Sequence, residues 1–349
     1  MYKPSIYTVE SVTSGHPDKV CDQISDAILD ACLAQDPATR AGVEVLGSHG
    51  SLMIGGEVKT SAKVDFEAVA QEVYKEVGYQ DSLEVFVRVA KQSLDIAMGV
   101  DTGGAGDQGI MYGYATNETS EYISKGTLYA HALSRGLENL RKQGVLSWLG
   151  PDGKSQVTMQ EGRVMTALVS AQHTEEVDLE EVRAGLLEHL FKPTLGDLDT
   201  IEILVNPTGR FVQGGFMADA GLTGRKIMID TYGGLIPHGG GCFSGKDATK
   251  VDRGAAYMAR FAAKNIVAGG YAKECLVSVA YAIGRAEPVM IEAVDESGKS
   301  LVSLVTKHFD FRPRSIIERL GLTKPIFRQT ATYGHFGKAG LPWEEIITL

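Results

Sequence analysis

The chain has few cysteines, four in 349 residues (Cys21, Cys32, Cys242, Cys275), and no C-x-x-C pair among them. That spacing indicates neither a zinc ribbon nor a disulfide framework, and three of the four sit in apolar surroundings, as core residues do. It also lacks a run of about 18 apolar residues, the length that spans a bilayer. The opening, MYKPSIYTVE, is without the charged-then-apolar layout of a signal peptide, so the expectation is a soluble, cytoplasmic protein. Positive charge is the minority sign: 34 Lys and Arg against 44 Asp and Glu leave a net charge of -10. Nucleic acid and anionic membranes attract basic surfaces, so neither is expected as a partner. Any anion must therefore be bound locally. No low-complexity linker marks a domain boundary, yet 349 residues at 44% hydrophobic content are enough for a globular chain of two or three domains.

The most informative stretch is GGGCFSGKDATKVD, residues 239–252. Gly239, Gly240, Gly241 and Gly245 allow backbone angles closed to other residues, so several amide N–H groups can converge on one anion. Lys246 and Lys250 would add charge-assisted bonds of roughly 1.5 to 3 kcal/mol each when desolvated. Asp252 is placed to hold a metal ion beside the phosphates. Residues 240–246 satisfy the G-x-x-x-x-G-K spacing of a P-loop, but Asp247 follows where that motif needs Ser or Thr, and an aspartate there would repel phosphate. The plainer reading is a surface turn with two solvated lysines.

Near the start, ESVTSGHPDKVCDQISDAILDACL reads as a helix begun by Ser14 and Pro17, with Val20, Ile24, Ala27, Ile28 and Ala31 as its buried stripe. His16 and Asp18 then sit at its N-terminus, an end that favours phosphate, where Asp18 could share a metal ion with the anion. A lone histidine there is also an ordinary cap. Asp18, Asp22, Asp26 and Asp30 recur every four residues, and the last two read as a solvated face. Residues 42–46 and 52–58 form a hairpin around GSHG, with Glu44 and Glu57 inside the apolar runs, either outward-facing carboxylates or ligands for a cation or substrate amine. A helix at 64–77 and a strand at 83–89 follow. Residues 91–118, with five glycines between 99 and 109, read as a mobile loop, either an active-site lid or a linker. Beyond it come a helix at 125–142, a turn feeding a strand at 151–159 and presenting Lys154, strands at 163–172 and 201–205 with a helix between, an Ala-rich helix at 252–267, a strand at 276–283 and a helix near Ser315. Arg210, Arg225 and Lys226 lie beside glycines, with Asp219 between. The alternation of strand pairs and helices hints at an internal three-fold repeat.

GHPDK (15–19), GGE (55–57), KQS with DI (91–96), GAGDQG (104–109), ATNE, PDGKSQV, NPTGRF, GLTGRK, DTYGG and HGGGCFSGKD, in this order and spacing, resemble the S-adenosylmethionine synthetase (methionine adenosyltransferase) family over nearly the whole chain. The resemblance implies an α+β fold of three similar domains in a pseudo-three-fold arrangement, each a β-sheet with helices on one face. The expected limits are 1–100, 101–213 and 214–349, with segments interleaving. It implies a homodimer or dimer of dimers with ATP and methionine bound between subunits. Carried over by position, His16, Asp152, Lys154, Arg210, Phe211, Asp219, Arg225, Lys226, Cys242 and Lys246 would bind ATP, with His16, Lys154, Arg225 and Lys246 catalytic. Glu57, Gln92, Asp219 and Lys250 would bind methionine. Asp18 and Asp252 would hold magnesium, about two ions per site, and Glu44 potassium.

The implied chemistry is attack of the methionine sulfur on the ribose 5′ carbon, followed by hydrolysis of the released triphosphate to pyrophosphate and phosphate. The chain departs from the family pattern in a shortened segment between Gln92 and Gly104, in Leu94 where proline is usual, in Ser14 where glutamate is usual, and in Cys242 where a small residue is usual. Stretches after Gly78 and at the C-terminus are abbreviated too. A P-loop ATPase is disfavoured by Asp247 and by the lack of a preceding Val/Ile-rich parallel strand. A catalytically silent, regulatory member of the family is disfavoured by the retained acids, lysines and histidine.

Overall fold

The computed structural model describes residues 4–91 and 103–349. Gln92 and residues 99–102 of the expected lid lie outside them. In chain order the strands are β1 (Ile6–Val12), β2 (Arg40–Ser48), β3 (Ser51–Lys59), β4 (Glu84–Ala90), β5 (Gly109–Thr116), β6 (Leu149–Gln160), β7 (Arg163–His173), β8 (Glu202–Val205), β9 (Gly221–Leu222), β10 (Glu274–Tyr281) and β11 (Met290–Asp295). The helices are α1 (Pro17–Gln35), α2 (Phe66–Val77), α3 (Lys125–Lys142), α4 (Leu179–Leu186), α5 (Lys192–Leu195), α6 (Ile227–Asp230), α7 (Val251–Ala268), α8 (Val302–His308) and α9 (Pro313–Leu320).

These strands form three sheets, with strand orders β1-β6-β7-β8, β11-β10-β5 and β4-β3-β2-β9. No sheet is one continuous stretch of chain: β1 pairs with β6, β5 with β10, and the two-residue β9 with β2. Each sheet packs against a principal helix, α3 on β6, α7 on β5 and α1 on β2. The α+β class with three sheet-and-helix units is the one expected. The β1-β6-β7-β8 unit closes around its own core, with Leu133, Leu137, Val157, Val169 and Phe191 at its centre. The other two units share one continuous core running from Ile24 and Ile54 to Tyr257 and Val277.

The β2–β3 hairpin turns on His49 and Gly50, both with positive φ (44° and 75°), the mirror-image turn whose twist matches the flanking strands. Helix α1 starts where Pro17, lacking an N–H, takes the first helical position and His16 caps it. At its far end α7 stops at Gly269, followed by Gly270 in a left-handed conformation (φ 76°).

Three expectations fail. Residues 109–116 are not loop but edge strand β5, in which Met111 and Ala115 are buried on the face toward α7. Its glycines concealed it, yet Gly113 is required there: a Cβ would run into the backbone of Ala259 on α7. Lys154 stands within strand β6 rather than in a turn before it. Asp26 and Asp30 are not a solvated face: Asp26 is fully buried, and both bind neighbouring loops.

Candidate active site

The first cluster forms at the start of α1. Gly15 is fixed by its neighbour, since a Cβ there would overlap the Pro151 carbonyl. His16 follows, buried, with Nδ1 accepting the Asp18 N–H at 3.2 Å. Burial first, and then the charges of Lys226 and Lys154, pull its pKa down to about 3. The ring is therefore neutral at pH 7. With Nδ1 acting as acceptor, the proton resides on Nε2, which becomes a donor for an anion.

Two residues on, the Asp18 carboxylate accepts the Leu222 N–H at 2.9 Å through Oδ1 and binds the Lys226 ammonium through Oδ2, with the Arg225 guanidinium 3.4 Å from Oδ1. Burial alone would raise its pKa, but the Lys226 hydrogen bond and the Leu222 amide outweigh burial and lower it. Lys154 pairs across the sheet with Val12, which carries it to the same corner. Asp152, one strand turn away, accepts the Gly215 N–H at 2.9 Å through Oδ2, while its buried Oδ1 has no hydrogen-bond partner. Burial pushes this carboxyl up to about 6. Asp219 is exposed and close enough to contribute to that shift.

Helix α1 is also a frame on which the site's loops hang. Asp18 accepts from Leu222, Asp22 from Gly224 at 2.8 Å, Asp26 from Gly245 at 2.8 Å, and Asp30 from Phe327 and Arg328 at 3.0 and 2.8 Å. Aspartates four apart share one helix face, so a single element sets the registers of the 221–226 segment and the glycine loop. Lys19, fully buried, neutralises Asp22 at 3.0 Å and also Asp230. Arg253 grips Asp26 with two bonds of 2.7 Å and donates to the Lys246 carbonyl at 3.0 Å. Asp22, Asp26, Lys19 and Arg253 are site-framing residues that the motifs alone do not mark. The available signal was Arg253 itself, a cation in an Ala-rich helix that must find a buried acid.

The glycine loop is joined to the edge of β2: Val43 N–H donates to the Gly245 carbonyl at 3.0 Å, and Asp247 N–H to the Ala41 carbonyl at 3.1 Å. The Asp247 carboxylate accepts the Ala41 N–H at 2.7 Å and the Thr249 N–H at 2.8 Å, and pairs with Lys250. It is thus spent on structure, so its charge is already engaged. Lys246 Nζ lies 2.5 Å from Asp252 Oδ2. Beside them opens a cleft of about 650 Å³ lined by Glu44, Glu57, Cys242, Ser244, Lys246 and Lys250, among others.

Five expected residues (Glu44, Glu57, Cys242, Lys246, Lys250) thus share one cleft, and His16, Asp18, Lys154, Arg225 and Lys226 form another cluster that does not line it. Arg210 engages Glu175 in an exposed pair at 2.8 Å, and Phe211 N–H is bound by His173 Nε2 at 3.1 Å. Among the described residues no group of three or more His, Cys, Asp or Glu could cage a metal ion. Magnesium does not need such a cage, because it is commonly held by one or two carboxylates together with substrate phosphates and water. Asp18 and Asp252, single carboxylates each set beside lysine or arginine, suit it.

Neutral imidazole, lysines, arginine and lone carboxylates arranged on a three-sheet α+β frame are chemistry suited to a polyphosphate. The particular family follows from comparison. The S-adenosylmethionine synthetase N-terminal, central and C-terminal domain models match residues 4–99, 102–211 and 213–345. An S-adenosylmethionine synthase of Staphylococcus epidermidis is 47% identical over 384 aligned positions, covering 99% of this chain and 96% of that protein. One of Desulforudis audaxviator is 49% identical over 379 positions, covering 98% and 96%. The chain belongs to the S-adenosylmethionine synthetase family. Both alignments exceed its 349 residues, so these relatives carry segments that this chain omits.

Proposed function

We propose that this chain is a methionine adenosyltransferase, making S-adenosylmethionine from ATP and L-methionine. The observation that carries the reading is the pair of cationic clusters built on α1, one around His16 and Asp18, the other around Lys246, within a chain of this family. The methionine sulfur attacks the ribose 5′ carbon; a C–S bond forms as the C–O bond breaks, and the triphosphate leaves with the electron pair. Sulfur is a neutral nucleophile and needs no base. What the protein supplies is alignment, worth up to roughly 7 to 11 kcal/mol, and fixed positive groups aimed at the departing oxygens.

His16 donates through Nε2, and Lys154, Arg225, Lys226 and Lys246 provide charge. Asp152, Arg210, Phe211, Asp219 and Cys242 complete the ATP contacts, and Glu57, Gln92, Asp219 and Lys250 hold methionine, the carboxylates facing its amine. Asp18 and Asp252 would hold magnesium, which when bound neutralises phosphate charge, and Glu44 would hold potassium. Such ions would release Lys226 and Lys246 from their present carboxylates toward the substrate. The same cations serve hydrolysis of the triphosphate.

The working unit is a homodimer, alone or paired into a dimer of dimers. Support comes from an exposed apolar row (Leu46, Met53, Phe86) that crosses the outer face of the β4-β3-β2-β9 sheet. Four free cysteines fit a reducing cytoplasm. The test is incubation with ATP, with and without methionine, measuring S-adenosylmethionine, phosphate and pyrophosphate. Methionine-dependent formation of all three is expected; methionine-independent ADP release, or no turnover, would overturn the reading.

A further inference from the structure

Residue 14 precedes the His16 turn and is held from an unexpected direction. Its backbone N–H donates to the Tyr333 hydroxyl at 3.2 Å, and that hydroxyl donates to the Glu138 carboxylate on α3. Tyr333 is 6% exposed and adopts φ 55°, a left-handed conformation uncommon for an aromatic residue, so its surroundings must over-determine it. They do so from one face of α3. Glu138 binds the hydroxyl, Arg135 lies 5.6 Å from the ring centroid, and His131 abuts the next residue, Gly334, where a Cβ would come within 2.7 Å of Nε2. Residues 131, 135 and 138 recur at helical spacing, so the three side chains form a single grip.

Glu138 remains a carboxylate: burial pushes its pKa up, but Lys142 at 2.6 Å and Tyr333 more than compensate and lower it. Ser14 itself is 3% exposed, and its hydroxyl sits close enough to Glu138 and Tyr333 to help hold the Glu138 carboxyl down. The negative charge beside that turn comes from Glu138 on α3.

We propose that Glu138 and Tyr333 are positioning residues for the transfer reaction, a carboxylate–phenol relay that fixes the Ser14–His16 turn and so aims His16 Nε2–H, with Glu138 standing in for an acid at residue 14. This rests on the function proposed above. A hydroxyl bonded to a carboxylate is a stronger acceptor for the Ser14 N–H than a free one. Loss of the relay frees the turn and misplaces the imidazole, whose contribution depends on its aim.

The experiment compares Glu138→Ala, Glu138→Gln, Tyr333→Phe and the double variant Glu138→Ala with Ser14→Glu. Three readouts are taken: kcat, KM for methionine, and calorimetric affinity for magnesium tripolyphosphate, which needs the cation cluster but no turnover. Glu138→Ala and Tyr333→Phe are expected to lose about ten- to hundredfold in kcat with KM for methionine within about twofold, and to bind tripolyphosphate about tenfold more weakly. Glu138→Gln, which can still accept from Tyr333, should fall between and serves if the alanine variant does not fold. Placing the acid at 14 fills the space vacated at 138 and should recover most of the lost kcat and affinity. Unchanged kcat and tripolyphosphate affinity in folded Tyr333→Phe, or no recovery in the double variant, overturns the proposal. A wild type that binds tripolyphosphate but makes no S-adenosylmethionine would instead refute the parent reading, leaving the relay to be judged by the binding series alone.

Discussion

Fixed charge matters most where charge appears during the reaction. If Lys246 and Asp18 meet the triphosphate as it departs, as proposed, Lys246→Met and Asp18→Asn should each lower kcat by orders of magnitude and leave KM for methionine little changed. Steady-state kinetics decide it, and a variant with near-native kcat would remove that residue from the reaction. The buried histidines give a pH test. His131, held by Ser11 at 2.9 Å, has its pKa lowered to about 3 by burial first and then by Lys338 and Arg135. Its folded pKa lies below the unfolded value of about 6.5, so as pH falls from there the unfolded chain takes the proton first and stability drops. Replacing His131 with Gln should make the decline between pH 6.5 and 4 shallower by up to about 1.4 kcal/mol per pH unit, read by urea unfolding. At this scale much was legible: Glu44 and Glu57 face a cleft, and the failure of the P-loop pattern at Asp247 is visible in the letters. The use of Asp247, capping Ala41 and holding Lys250, was not, because its partners are more than 200 residues away or across a turn.

Among the elements, α1 decides the site. The spacing of its last two aspartates, Asp26 and Asp30, reads as a wet face when solvation is the only partner considered; amides and a cation from distant segments make it a dry one. A sequence gives the period of a helix but not what will be packed against each face. Asp26→Ala should leave Arg253 buried without its acid and free the Gly245 N–H, a loss of about 3 to 5 kcal/mol. Chemical denaturation measures this, and Lys246 should lose its register at the same time, so kcat should fall even in fully folded protein. A stability loss below about 1 kcal/mol would mean that the loop finds other anchors. Strand β5 was illegible for the complementary reason. Glycine in sequence reads as loop, whereas Gly113 marks the close approach of α7, and a pattern of glycines does not say whether freedom or room is being used.

At the scale of the whole molecule, the two clusters raise the question of which chain completes which site. Glu44, Glu57, Lys246 and Lys250 line one cleft, and His16 is not among its lining residues. The row of Leu46, Met53 and Phe86 lies directly across three paired strands, on the outer face of the sheet that carries Glu44 and Glu57. In the proposed dimer a two-fold axis at that face pairs the His16 cluster of one protomer with the Lys246 cleft of its partner, giving two equivalent sites. Complementation tests this without a structure of the assembly. His16→Asn and Lys246→Met are each inactive as homodimers on this view. When they are co-expressed and pair at random, about half the dimers are mixed, and in each of these one site collects both defects while the other collects none. Activity should therefore return to about a quarter of wild type. If both residues served a site within one chain, every site in every dimer would carry one defect, and nothing would be gained by mixing. Activity no higher than that of the separate variants, in a sample where differently tagged chains copurify, would refute the shared site.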